Sequence, residues 1–280
     1  GEVSHFIFCG VLLLTSYPLM YVVEKAFGFT SAVTLFELSD INKDLLRRLS
    51  EVSAGTMQHS ITVSNIAADI AQKIGERSLL VRTGALYHDI GKISNPSFFT
   101  ENQKDINPHD HMTPQESARI IINHVKEGKR LAEKYGLPNE IIDFIMTHHG
   151  AGMTKYFYIT YKNAHPDEEV DKAPFTYPGP NPFTTEQAIL MMADSVEAAS
   201  RSLKDYTEES ITELVNRVID GIVADGFFLD CPITFHDISV AKRVIIERLK
   251  TNYHTRITYP ELKTAAQKSA EQEAKKKKKK

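Results

Sequence analysis

Seven side chains in this 280-residue chain carry groups that bind transition metals: His59, the adjacent pair His88-Asp89, His124, the adjacent pair His148-His149, and Asp194. Imidazole nitrogen and carboxylate oxygen together suit a divalent transition ion, and a carboxylate can bridge two of them. A single His-Asp dipeptide means little, because such a pair at a helix end is more often a cap or a surface pair. The whole set means more. Each member falls in, or at the end of, a segment with helical apolar spacing, and ligands on separate helices are gathered by a helical bundle. The expected fold is all-α, a helical bundle built around a metal site. Five histidines favour iron or manganese over magnesium, which prefers oxygen. Two such ions would supply hydrolytic chemistry, since a bound metal brings the pKa of water toward neutrality.

The elements that must position these groups are legible in turn. From Met57 to Ile74, His59 shares one stripe with Val63, Ile66 and Ile70 at steps of three or four, so it points inward. A run through Leu79, Leu80, Leu86 and Ile90 delivers His88-Asp89; Gly91 stops it and Lys92 follows. Thr113-Pro-Gln-Glu116 is a helix start, with Thr as N-cap, Pro at N1 and Glu at N3. That helix runs to about Tyr135 and turns His124 inward with Ile120, Ile121 and Leu131. Gly128 lies one turn on, where a side chain would crowd the site. The next helix opens at Pro138 and ends at His148-His149-Gly150. Adjacent helical residues diverge by about 100°, so both histidines reach one cluster only at a helix end or at a site wide enough for two ions. Thr184-x-x-Gln187 opens a further helix. On it Asp194 stands among Ile189, Met192, Ala193 and Val196, a costly place for a carboxylate unless it is paired or metal-bound. Helices over about Thr207 to Asp225 and Thr234 to Tyr253 read as scaffold, with His236 and His254 inert.

Two connections differ from ordinary loops. Ser94 to Met112 is polar and longer than bundle connections usually are; Asn102 and Gln103 lie on it as candidate substrate contacts, whereas His109 and His111 lack the ligand spacing. Gly150 to Phe183 is rich in proline and aromatics, including Tyr177, and reads as a lid whose early part is helical. Its aromatics would either stack on bases or pack on the bundle.

Phe6 to Val23 is an uncharged apolar run with Pro18 inside it, just long enough for a membrane span. A signal peptide is the alternative, but basic residues are missing before the run and no small-residue cleavage site follows it. Lys25, Lys43, Arg47 and Arg48 follow the run and none precedes it, which puts the C-terminal part in the cytoplasm of a membrane-bound protein. The chain begins with Gly1, which suggests a fragment. The expected organisation is residues 1–36 as the end of a membrane region, 37–56 as a connector helix, 57–260 as the catalytic bundle, and 261–280 as a disordered lysine-rich tail. Apolar content of 42% and charged content of 25% are ordinary for a folded domain. The net charge of −3 includes the run Lys275 to Lys280, so the body is more acidic still. That argues against DNA binding, though not against a small nucleotide. Cys9 and Cys231 are too few and too far apart for a disulfide framework.

Several longer stretches narrow the reading. Gly55-Thr-Met-Gln-His-Ser60, Tyr87-His-Asp-Ile-Gly-Lys92, Phe99-Thr-Glu-Asn-Gln103, Asn107-Pro-His-Asp110, Tyr177-Pro-Gly-Pro180 and Ala193-Asp-Ser-Val-Glu-Ala198 resemble the HD-domain phosphohydrolases of the membrane-anchored PgpH type (the 7TM-HD family), over roughly residues 37–260. The resemblance implies a phosphodiesterase converting cyclic di-AMP to linear pApA by attack of a metal-bridging hydroxide. It implies one metal, iron or manganese, held by His59, His88, Asp89 and Asp194, and a second held by Asp89, His124, His148 and His149. Lys92 would neutralise charge building on the phosphate, with Asn102, Gln103 and Tyr177 near the substrate. Further transmembrane helices, an extracytoplasmic domain and a possible homodimer belong to the same expectation. The alternatives are cyclic di-GMP, RNA 2′,3′-cyclic phosphate, and a non-catalytic nucleotide sensor. The cyclic di-GMP group carries a DGxGYP-like segment soon after its paired histidines, where this chain has Gly150-Ala-Gly-Met-Thr154. A sensor would have eroded ligands, and all seven positions are filled here.

Overall fold

In the computed structural model, residues 1–103 and 106–254 are described. Among them lie the helices α1 (Glu2–Phe27), α2 (Ala32–Leu38), α3 (Asp44–Val52), α4 (Ala54–Ile74), α5 (Ser78–Tyr87), α6 (Pro114–Lys134), α7 (Asn139–Thr147), α8 (Lys155–Ala164), α9 (Thr185–Ser200), α10 (Glu208–Ala224) and α11 (Phe235–His254). No strand forms among the described residues; a lone bridge joins Met153 and Thr176. The fold is the all-α bundle expected. The lysine-rich tail lies outside the described residues.

The stripe that carries His59 makes α4 the centre of the bundle. Val63, Ile66, Ala67, Ile70 and Ala71 are all buried, and α4 packs against α3, α5, α9 and α11. Burying each larger aliphatic contributes about 1.5–3 kcal/mol. The inner faces of α10 (Ile211, Val215, Ile219) and α11 (Ala241, Ile245, Leu249) close the same core. Neither helix brings a residue to the cluster of histidines.

Local signals set the helix ends. Thr113 and Glu116 exchange the two hydrogen bonds of a capping box at the start of α6, with Pro114 inside its first turn. Thr184 caps α9 by accepting from the Gln187 N–H. The polar connection after α5 is a series of 3-10 turns, over Ile90–Ser94, Pro96–Phe98, Thr100–Asn102 and Pro108–His111. α8 falls in the early part of the expected lid.

Two glycines permit the close approaches that align the site. A Cβ on Gly84 would lie 2.4 Å from the buried Phe144 ring, so α5 rests directly on α7. A Cβ on Gly91 would lie 1.8 Å from the His124 carbonyl oxygen and 2.5 Å from the Gly128 nitrogen. The turn after His88-Asp89 therefore lies backbone to backbone on α6. Gly128 is small for this crossing and for Ile145, whose Cγ2 would stand 2.8 Å from an added Cβ; the sequence anticipated crowding there, but by the metal site.

α1 is long and apolar enough to cross a membrane, and none of its apolar window is buried. It ends at Gly28, in the left-handed conformation. The expected boundary at residue 36 falls inside α2, which is seated on the bundle. Leu35 is buried in the core, the Thr83 hydroxyl donates to the Leu35 carbonyl at 3.3 Å, and the Tyr87 hydroxyl donates to the Leu38 carbonyl at 2.9 Å.

Candidate metal centre

The seven residues converge from five helices. His59 comes from α4, His124 from α6 and Asp194 from α9. His88 is the C-cap of α5 and His148 the C-cap of α7. At a helix end the chain departs from the 100° step, which lets each adjacent pair face the same space. All but His149 are buried.

Asp89 stands between two groups of donors. Its Oδ2 is 3.6 Å from His59 Nε2 and 3.3 Å from His88 Nε2. Its Oδ1 is 3.4 Å from His124 Nε2 and 3.7 Å from His148 Nε2. Asp194 Oδ1 joins the first group, 2.9 Å from His59 Nε2 and 3.6 Å from His88 Nε2. His149 joins the second, in which one donor atom each of His124, His148 and His149 lies within 4.8 Å of the others; His59, His88 and Asp89 form the matching trio. One carboxylate thus presents opposite oxygens to two clusters.

The donor chemistry fits metal ions. His88, His124 and His148 give their Nδ1 hydrogens to the carbonyls of Ala85 (2.7 Å), Ile121 (2.5 Å) and Ile145 (2.8 Å). Each Nε2 is then left with its lone pair inward. The Nε2 atoms of His124 and His148 face each other at 3.2 Å, and two lone pairs at that distance repel unless a cation lies beside them. His88 Nε2 is buried with no hydrogen-bond partner.

The electrostatics agree. Burial favours neutral His88, but the Asp89 and Asp194 carboxylates outweigh it and push its pKa up to about 10. This half of the site asks for positive charge, and without a metal a proton supplies it. Burial pulls His148 well below the usual imidazole range, and burial together with the His124 charge takes His149 down to about 3. Those imidazoles stay neutral, as metal ligands must. Burial alone would raise the Asp89 pKa; Lys92 and His88 overcome it and hold the carboxyl well below its ordinary value.

The cluster forms the floor of a cavity of about 910 Å³ lined by Lys92, Gln103, His149, Phe157, Tyr177 and Arg201, among others. Lys92 Nζ is shared between Asp89 Oδ2 (2.7 Å) and Glu101 Oε1 (2.9 Å). Tyr177 is buried against His149, with ring centroids 4.4 Å apart. Gln103 lines the cavity and donates to Asn107 Oδ1 at 3.1 Å. Asn102 is placed elsewhere. Its amide accepts from the Thr56 N–H (3.2 Å) and donates to the Thr56 hydroxyl (2.8 Å). It fastens the Thr100–Asn102 turn to the first turn of α4, where free N–H groups need acceptors, and it lines a separate surface depression with Glu51 and Ile106. It is not among the residues that line the cavity over the histidines. His109 takes a wall position, its ring between Phe98 (5.3 Å) and Phe157 (5.0 Å).

Three charged residues given no role in the sequence also reach the site: Glu101, Glu197 and Arg201. Glu197 stands one turn beyond Asp194, and Arg201 follows it at the i,i+4 spacing of a helical ion pair. Those intervals are the signal that was present.

One carboxylate between two groups of histidines is an arrangement that can hold metal ions, and comparison with known proteins identifies the family. The HD domain profile matches residues 56–199. The chain is 43% identical over 239 residues to the cyclic-di-AMP phosphodiesterase PgpH of Listeria monocytogenes, covering 85% of this chain and 33% of that protein. It is 40% identical over 244 residues to PgpH of Bacillus subtilis, covering 87% and 34%. The chain thus spans about a third of the length of these curated relatives. A crystal structure of the L. monocytogenes PgpH HD domain in complex with cyclic-di-AMP superposes with a TM-score of 0.72 at 44% identity, covering 77% of this chain and 99% of that one. The chain belongs to the HD-domain family, in its PgpH-type branch.

Proposed function

We propose that this chain is the membrane-proximal and catalytic portion of a phosphodiesterase that hydrolyses cyclic di-AMP to linear pApA. The observation that carries the reading is Asp89, whose two oxygens face two separate histidine groups on the floor of a cavity large enough for a dinucleotide. The crystal structure of the L. monocytogenes PgpH HD domain in complex with cyclic-di-AMP supports the choice of nucleotide.

His59, His88, Asp89 and Asp194 would hold one metal, and Asp89, His124, His148 and His149 the other; iron and manganese suit this donor set. When bound, the two ions supply Lewis acidity toward the phosphodiester and acidify water near neutral pH. The chain's own groups do the rest. Asp89 sets the spacing of the two donor groups. Lys92, its ammonium kept charged by Asp89 and Glu101 against the pull of burial, faces the cavity and offsets charge that grows on the phosphoryl oxygens. Phe98, His109 and Phe157 form an aromatic wall on which a base can stack. Tyr177 keeps its phenol proton, because burial raises its pKa, and braces His149 beneath the substrate. Gln103 has an amide within reach of the same cavity.

α1 is read as the last transmembrane segment. The basic residues after it support a cytoplasmic catalytic domain. In this reading the HD domain begins near residue 57, 37–56 connect it to the membrane region, and α2 is an added anchor on the bundle. A homodimer is part of the proposal; DNA is not a partner.

The test is hydrolysis of cyclic di-AMP and cyclic di-GMP side by side by the purified chain with added Mn²⁺, products resolved by chromatography. Selective conversion of cyclic di-AMP to pApA is expected. Cleavage of cyclic di-GMP alone, or of neither by protein holding two metals per chain, would overturn the substrate.

A further inference from the structure

His59 is oriented unlike the other histidines around Asp89. His88, His124 and His148 each use the backbone carbonyl three residues earlier, a partner that no substitution removes. His59 reaches instead across to another helix, where its Nδ1 meets Glu197 Oε2 at 2.5 Å. Its Nε2 faces Asp194 and Asp89, so that nitrogen must keep its lone pair for a metal, and the hydrogen belongs on Nδ1. Glu197 is then the acceptor. Arg201 Nη2 also lies 2.8 Å from the same Nδ1, but with a hydrogen already on that nitrogen the guanidinium donates to Glu197, at 2.8 and 3.1 Å from its two oxygens.

The contacts continue into a ring. Arg201 Nη1 is 3.9 Å from Glu101 Oε2. Glu101 Oε1 accepts from Lys92 and from the Thr56 hydroxyl, at 2.9 and 3.0 Å. Lys92 returns to Asp89, and Asp89 to His59. The Glu197 and Glu101 side chains are only 12% and 10% exposed, so these charges interact with little screening.

We infer that Glu197 is a positioning residue for this site, fixing the tautomer and ring angle of His59, and that Arg201 and Glu101 link its placement to Lys92. The inference rests on the metal-dependent reading above. A carboxylate accepting from a ligating imidazole also makes the other nitrogen a better donor, and loss of such a partner costs about 10- to 100-fold in metal affinity. Unlike the outer partners of His88, His124 and His148, that of His59 can be deleted by a single substitution.

The experiment is calorimetric titration of metal-free full chain in detergent with Mn²⁺, for wild type, Glu197→Ala, Glu197→Gln and Arg201→Ala, with circular dichroism to establish the fold and cyclic di-AMP turnover measured in parallel. Glu197→Ala is expected to weaken one of two Mn²⁺ sites about 10- to 100-fold and to leave the other unchanged. Glu197→Gln, which still offers an oxygen to Nδ1–H, should recover most of that loss, and Arg201→Ala should show a smaller one. Two Mn²⁺ bound by Glu197→Ala at wild-type affinity would overturn the inference. So would equal losses in the Ala and Gln variants with the fold retained, which would assign the effect to charge alone. A wild-type chain that binds no Mn²⁺ would overturn the metal reading itself, and the inference with it.

Discussion

Replacing Gly91 with alanine is expected to damage stability and catalysis together, by a route that involves no ligand. The added methyl would stand 1.8 Å from the His124 carbonyl oxygen and 2.5 Å from the Gly128 nitrogen, where ordinary contact begins near about 3.5 Å. Both obstacles are backbone, so no rotamer change relieves them. The turn after Asp89 and helix α6 must part by roughly 1 Å or more. Overpacking of this kind costs about 1–3 kcal/mol. The same displacement pulls Asp89 from His124, now 3.4 Å away, and a misplacement of about 1 Å in a site can cost on the order of 100-fold in rate. Thermal unfolding followed by circular dichroism reads the first effect, and cyclic di-AMP turnover by chromatography the second. Gly221→Ala is the control: it lies within α10, nothing stands within 4 Å of its added Cβ, and it should be neutral or stabilising by up to about 1 kcal/mol. A Gly91→Ala protein with wild-type melting and turnover would refute the argument that this backbone crossing sets the Asp89–His124 distance.

Other expectations are simpler. The double variant His88→Ala, Asp89→Ala should lose both bound Mn²⁺ and turnover while keeping its helical dichroism; full activity in it would sink the site. A chain begun at Ser39 should be less stable than one begun at Phe29, because it loses the burial of Leu35, worth about 2 kcal/mol, and the acceptor of the buried Tyr87 hydroxyl, worth about 1–3 kcal/mol. Equal urea midpoints for the two chains would show that α2 is not part of the domain. In metal-free protein the midpoint should fall from pH 7 to pH 5. His124, His148 and His149 have folded pKa values lowered by burial, so in this window the unfolded chain, with histidines near about 6.5, binds more protons and stability declines with pH. His88, raised to about 10, and His59, also raised by Asp194 and Glu197 against burial, gain a little stability as pH falls toward the unfolded histidine value and nothing further below it, which offsets only part of that loss; the lowered carboxyls of Asp89 and Asp194 lose their contribution only below the ordinary carboxylate range. A midpoint that rises on acidification would contradict the lowered pKa values of those three imidazoles.

What the sequence by itself determined is the part encoded at short range. Helical periodicity marked α4, α6, α9, α10 and α11, because one face of each must be apolar to be buried. Thr113 with Glu116, and Thr184 with Gln187, marked helix starts, because the first N–H groups of a helix need acceptors nearby in the chain. The metal-binding residue types were visible as types, and the adjacent pairs His88-Asp89 and His148-His149 could be placed near helix ends because Gly91 and Gly150 follow them where the helical runs stop. Tertiary structure alone decided the rest. That Asp89 turns one oxygen to His59 and His88 and the other to His124 and His148 depends on where four helices meet. Asn102, on a polar loop, braces α4, because Thr56, far away in the chain, presents groups that match its amide. Glu197 was one polar residue on a helix until α4 brought His59 against it. The residues up to 36 read as the end of a membrane region, yet α2 is part of the core because Leu35 finds a place on α5. Periodicity reports which side of a helix is buried. It carries nothing about which distant side chain will lie opposite, and that pairing is what fixes a tautomer, a charge and a ligand.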